Sequence, residues 1–166
     1  MEEVAEALRG FAPGTAGGFS GLMPQHFRCE RPTTAYLRLL LQIARLCSDF
    51  AWDQLPLACL TALAGARLIA LGKRGGGVRP IAVGKTLRRL AGKLLIGRYQ
   101  PEAASRLQPE QVGVGVLRGA ESLVHKVRTW MQQALPNHVL LQLDFKNAFN
   151  SVKRKVLLQA VAEHCS

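Results

Sequence analysis

Apolar positions along the chain fall into short periodic runs separated by glycine and proline. Val4, Ala5 and Leu8 share one side of a predicted short helix, Glu2–Arg9. A loop over 10–21, with Pro13 and glycines at 14, 17, 18 and 21, leads into Leu22-Met23-Pro24-Gln25-His26-Phe27. Pro32-Thr33-Thr34 has the form of a helix start, and Tyr36, Leu40, Ile43, Ala44 and Cys47 then recur at helical spacing. Leu37 and Leu41 widen that stripe, which predicts a helix covered over most of its surface. Residues 49–56 break it, and 57–64 read as a second short helix.

The period changes at Arg67. Residues 67–71 and 78–83 are strand candidates around Gly72-Lys73-Arg74-Gly75-Gly76-Gly77, which predicts a β-hairpin. Pro80 suits an edge or a strand end. A helix follows from Thr86 to about Tyr99, with Leu87, Leu90, Ala91, Leu94 and Leu95 on its apolar face. Arg89 and Lys93 lie elsewhere on it, four residues apart. Like charges at that spacing are mildly destabilising, so an anion opposite them is attractive without being required. In Gln111-Val112-Gly113-Val114-Gly115-Val116 one face packs and the other is bare backbone, the mark of a close approach by chain or ligand, or equally of a β-bulge. Residues 119–133, with Leu123, Val127 and Trp130, form the next predicted helix. Pro136 and Asn137 end it. The run Val139 to Leu143 then predicts a strand starting near His138, with Val139, Leu141, Leu143 and Phe145 on one face. Asp144 stands at the carboxyl end of this largely buried strand, and a final helix covers 152–163. Nothing suggests a repeat, a low-complexity tract or an interdomain linker.

Composition adds one decisive point. A hydrophobic share of 48% in 166 residues suffices for a sizeable core, and no apolar run approaches the ~18–20 residues of a membrane span. The start, Met-Glu-Glu-Val, lacks the basic then apolar pattern of a signal peptide. Cys29, Cys47, Cys59 and Cys165 are widely spaced, which fits reduced thiols in an intracellular protein and gives no zinc pattern. Charge is the informative quantity: Lys+Arg 22 against Asp+Glu 11 gives +11. Between Asp53 and Glu102 there is no acid, while Arg67, Lys73, Arg74, Arg79, Lys85, Arg88, Arg89, Lys93 and Arg98 are basic. Such a field repels itself unless an anion shares it, which points to a polyphosphate or nucleic acid. A solvated basic face is the alternative.

Gly84-Lys85-Thr86 fails as a P-loop, because the glycine needed five residues before Gly84 is Arg79. Several segments taken in order do form a pattern. Gly72-Lys73-Arg74-Gly75-Gly76-Gly77-Val78-Arg79-Pro80-Ile81 resembles the fingertip hairpin of reverse transcriptases of non-long-terminal-repeat retrotransposons, with group II intron enzymes as relatives. Arg88-Arg89-Leu90-Ala91-Gly92-Lys93 resembles the helix after it, and Val112-Gly113-Val114-Gly115 through Gly119-Ala120-Glu121 the next fingers motif. Leu143-Asp144-Phe145-Lys146-Asn147-Ala148-Phe149-Asn150-Ser151-Val152 is similar to the first catalytic motif of the palm, and the loop 14–22 to the upstream block. Ser20 departs from that block, where many relatives carry an acid. The second catalytic block, with its paired aspartates, finds no match, so the chain is expected to be a fragment.

The resemblance implies an α+β fold: a fingers subdomain with a β-hairpin and several helices, plus the first strand of an incomplete right-hand polymerase palm. Residues 1–66 would be the helical part of the fingers, 67–137 the hairpin, basic helix and glycine loop, and 138–166 the start of the palm. Asp144 would be catalytic and, with the carbonyl of Phe145, would bind Mg²⁺ in a two-ion site only partly present here. Lys73, Arg79, Phe145 and Phe149 would bind the deoxynucleotide triphosphate, Phe149 by closing against the 2′ position of its sugar. Arg74, Lys85, Arg88, Arg89, Lys93, Gly113 and Gly115 would contact the RNA template and DNA primer. The competing expectation is a non-catalytic nucleic-acid-binding module derived from a retroelement.

Overall fold

The computed structural model describes residues 1–145 and 148–164, with the side chains of Phe149, Asn150 and His164 outside the described set. It is α+β and divides into two compact units, Met1–Tyr99 and Gln100–Ser166.

The first unit opens with α1 (Glu2–Arg9), which buries Val4 and Leu8. Glu2 and Glu3 in its first turn and Arg9 in its last complement the helix dipole. Two short 3-10 turns follow, Gly18–Ser20 and Pro24–Phe27. α2 (Thr34–Ala51) starts where the proline-threonine signal puts it. The Thr33 hydroxyl accepts from the Tyr36 N–H at 3.2 Å, satisfying a donor that the first helical turn leaves open. Leu40, Ile43 and Cys47 are buried, as their spacing predicts. Leu37 and Leu41, however, are 43% and 37% exposed. Cover over most of α2 is therefore not found, because the core forms against one stripe only. α3 (Leu57–Ala64) is apolar over most of its length yet buries no residue.

Strands β1 (Ala66–Gly72) and β2 (Val78–Gly84) pair antiparallel, in register from Ala66 opposite Gly84 to Gly72 opposite Val78. The connecting turn is closed by Lys73 N–H to the Gly77 carbonyl (3.0 Å) and Gly76 N–H to the Lys73 carbonyl (3.1 Å). Gly75, Gly76 and Gly77 have φ of 92°, 94° and 88°, a left-handed run that side chains resist, so the three glycines are what makes the turn possible. α4 (Thr86–Leu107) runs past its expected end near Tyr99 and through Pro101. The proline gives up one backbone bond, and the helix continues on both sides of it. Val4, Leu8, Phe11, Leu40, Ile43, Cys47, Leu90 and Ala91 make the core of this unit, with Phe27, Tyr36, Leu87 and Leu94 packed at its margin.

The second unit contains the end of α4, then α5 (Gly119–Gln133), α6 (Ala148–Ser151) and α7 (Arg154–His164). Among its described residues no large apolar side chain is buried. The expected buried strand at 138–145 is not formed: these residues carry no strand assignment, and Leu141, Leu143 and Phe145 are exposed. A strand exists through bonds to a neighbour, and the only sheet among the described residues is the β1–β2 ribbon. Trp130 and His138 stack with centroids 6.0 Å apart, joining the end of α5 to the start of this extended segment.

Candidate nucleic-acid interface

Lys73, Arg74 and Arg79, with Leu71 and Gly72, line an open hollow of about 400 Å³ at the tip of the hairpin. Arg79 lies directly opposite Leu71 in the register, so its side chain shares a face with that end of β1. Among the described residues, none of these three cations makes an ion pair or a side-chain hydrogen bond; the ion pair recorded is Arg106–Glu102, at 2.8 Å. Three cations without an ion-pair partner among the described residues, gathered at one hairpin tip, repel each other. A phosphate placed there removes that repulsion and gains charge-assisted hydrogen bonds.

The cations at the hairpin's base are arranged differently. Arg88 Nη1 donates to the Ala64 carbonyl (2.7 Å), Arg89 Nη1 to the Ala16 carbonyl (2.9 Å) and Lys93 Nζ to the Gly10 carbonyl (2.9 Å). Arg89 and Lys93 each stand 5.2 Å from the centre of the Phe11 ring, within cation–π range. Thr86, 1% exposed, donates its hydroxyl proton to the Leu22 carbonyl. Gly18, at φ +68°, lies so close to the end of β2 that a Cβ would sit 2.8 Å from the Gly84 carbonyl oxygen. The loop 10–22 is thus tied to the junction of β2 and α4 at several points. An open groove of about 560 Å³ remains there, lined by Thr15, Ala16, residues 81–84, Arg88 and Arg89. Lys85, at this junction, is half-buried.

Sequence reasoning missed Arg28. Its guanidinium donates to the carbonyls of Leu8 (3.2 and 2.9 Å), Arg9 (3.2 Å) and Phe11 (2.5 Å), and so closes the C-terminal end of α1. A cation is favoured at that end of a helix. The partners lie 17–20 residues away, and no local pattern announces them.

Asp144 and Phe145 belong to the second unit, in the exposed unpaired segment. Gly113 and Gly115 lie in a turn closed by the Gln111 side chain, whose Oε1 accepts from the N–H groups of Gly113 and Val114, the latter at 2.8 Å. Phe149 is in α6; its side chain, like residues Lys146 and Asn147, lies outside the described set. Among the described residues no three histidine, cysteine or carboxylate side chains cluster to hold a metal ion. Mg²⁺ takes several oxygen ligands, and Asp144 with the Phe145 carbonyl does not constitute such a site alone. Burial pushes the Cys47 thiol up from 9.0 to about 11. Among the described residues, no helix is long and apolar enough to cross a membrane.

No protein-family profile matches the chain, and no solved structure matches it. Over 165 residues, 96% of its length, it is 28% identical to the Retrotransposable element SLACS 132 kDa protein of Trypanosoma brucei gambiense, of which it spans 13%. This similarity supports a relation to retroelements.

Proposed function

We propose that the chain is the fingers and first palm motif of a retroelement reverse transcriptase, and that it binds nucleic acid and nucleoside triphosphate through its hairpin. The observation that carries this reading is the hairpin tip, where Lys73, Arg74 and Arg79 have no ion-pair or hydrogen-bond partner among the described residues. The retroelement similarity over nearly the whole chain supports it. Arg79 offers a planar fork to phosphate and Lys73 a point charge, so the two suit different oxygens of one triphosphate. Asp144 is the carboxylate this reading assigns to chemistry, and Mg²⁺ belongs to it only with further carboxylates.

The test is a salt titration of the 166-residue chain with a fluorescein-labelled single-stranded oligodeoxynucleotide. Affinity is expected to fall steeply with salt, because each neutralised phosphate releases counterions. Replacing Lys73, Arg74 and Arg79 together by glutamine is expected to flatten the log–log slope by about 2, at roughly 0.7 per phosphate contact on a single strand. An unchanged slope would remove the hairpin from the interface.

A further inference from the structure

The nine cations between Arg67 and Arg98 form one continuous basic field in the sequence. They are not equivalent in the fold. We propose that Arg89 and Lys93 form, with Phe11, an internal latch that holds the loop 10–22 on the start of α4, and that neither contacts bound nucleic acid. This rests on the nucleic-acid-binding reading above, and removes two cations from the binding face.

Lys93 serves the C-terminal end of α1. The carbonyls of Leu8, Arg9, Gly10 and Phe11 emerge there at the negative end of the helix dipole, Leu8 already accepting from the Phe11 N–H at 3.3 Å. Arg28 takes three of them and Lys93 the fourth. Gly10 is fitted to this contact, since a Cβ at that position would run into Lys93 Nζ. Lys93 therefore completes the cap of α1, from a helix some eighty residues away in sequence.

Phe11 ties both cations to the core. Its ring is part of the core with Leu8, Leu90 and Ala91, and its faces meet Arg89 and Lys93 at equal distances of 5.2 Å. Arg89 also donates to the Ala16 carbonyl, so a single guanidinium fixes both ends of the segment 11–16. Moving either cation to a phosphate would take one of two charges from the ring and break its hydrogen bond to the Ala16 or Gly10 carbonyl. Lys73, Arg74 and Arg79 have no such contacts to give up among the described residues. The Arg89–Lys93 pair, mildly unfavourable on an isolated helix, is offset by these contacts without any bound anion.

The experiment takes the full chain through a thermal melt and the oligonucleotide salt titration with four variants. Arg89→Gln and Lys93→Gln are each expected to lower Tm by about 5 °C or more and to leave the salt slope unchanged. Phe11→Leu removes the ring while keeping an apolar side chain and the net charge, and is expected to lower Tm in the same way with an unchanged slope. Arg74→Gln is expected to do the reverse: Tm unmoved, slope reduced by about 0.7. A slope reduced by either Arg89→Gln or Lys93→Gln, with or without a loss of Tm, overturns the proposal. So does a wild-type Tm for Phe11→Leu, the variant least prone to misfold. If the unmodified chain shows no salt-dependent binding, the nucleic-acid reading fails, while the melting data still decide whether the latch exists.

Discussion

Arg28→Met isolates the cap of α1. Methionine keeps an apolar stem and removes every donor, so the carbonyls of Leu8, Arg9 and Phe11 lose their shared partner. The bonds to Leu8 and Phe11 are partly buried, and the one to Arg9 is exposed. A hydrogen bond to a charged donor contributes about 1.5–3 kcal/mol when its loss leaves the acceptor dry. Water can reach part of this site, and one guanidinium serves all three carbonyls, so the separate figures do not add. Loss of a cation from the helix end contributes about 0.5 kcal/mol more. A total of about 2–3 kcal/mol is expected, near 10–20 °C in Tm for a unit of this size. Arg28→Lys should fall between, because an ammonium cannot span three carbonyls in one plane. Arg31→Met, an exposed arginine three residues on, serves as the control and should change stability by less than ~0.5 kcal/mol. Urea unfolding followed by circular dichroism gives the global effect. Hydrogen exchange at the α1 amides gives the local one. If Arg28→Met and Arg31→Met unfold at the same urea concentration, and α1 exchanges no faster, Arg28 is not a cap.

Four further measurements bear on Cys47, Gly18 and Asp144. Cys47, 6% exposed and with its thiol pushed up to about 11, should resist iodoacetamide at pH 8 while the exposed Cys29 and Cys59 react, as read by peptide mass mapping. Because the folded state holds this thiol protonated, its contribution is present below pH 9 and is lost as pH rises through about 11, so stability should decline across that window; a flat profile would contradict it. Gly18→Ala combines a φ of +68° with a Cβ 2.8 Å from the Gly84 carbonyl oxygen, and should destabilise the first unit by about 1–3 kcal/mol, whereas Gly14→Ala, strained but unobstructed, should cost less. On the polymerase reading proposed above, Asp144→Asn in the longer protein is expected to abolish primer extension with template binding retained, since the amide keeps the shape and removes the charge; activity within a few-fold of the parent would leave Asp144 with no role in synthesis.

The sequence by itself determined the elements whose cause is local. The 3.6-residue spacing of Leu40, Ile43 and Cys47 marks the buried stripe of α2, and Thr33 marks its start. The glycines at 75–77 dictate the hairpin turn, because only glycine adopts those dihedrals freely. α1, α3 and α5 likewise lie where the periodicity puts them. What required the tertiary structure was the choice of distant partner. Val139 to Phe145 has the composition of a strand, but strand formation needs a second strand, and among the described residues none pairs with it. Leu37 and Leu41 have the spacing of buried residues, but burial needs a neighbour on that side of α2. Arg79 and Arg89 look alike in a list of basic residues. One stands unpaired among the described residues on a ribbon, while the other is held by Phe11 and a backbone carbonyl seventy-three residues away. Charge and periodicity are properties of a stretch of chain; whether a cation is spent on the fold or left for a ligand is decided by which carbonyls and rings folding brings within about 3–5 Å.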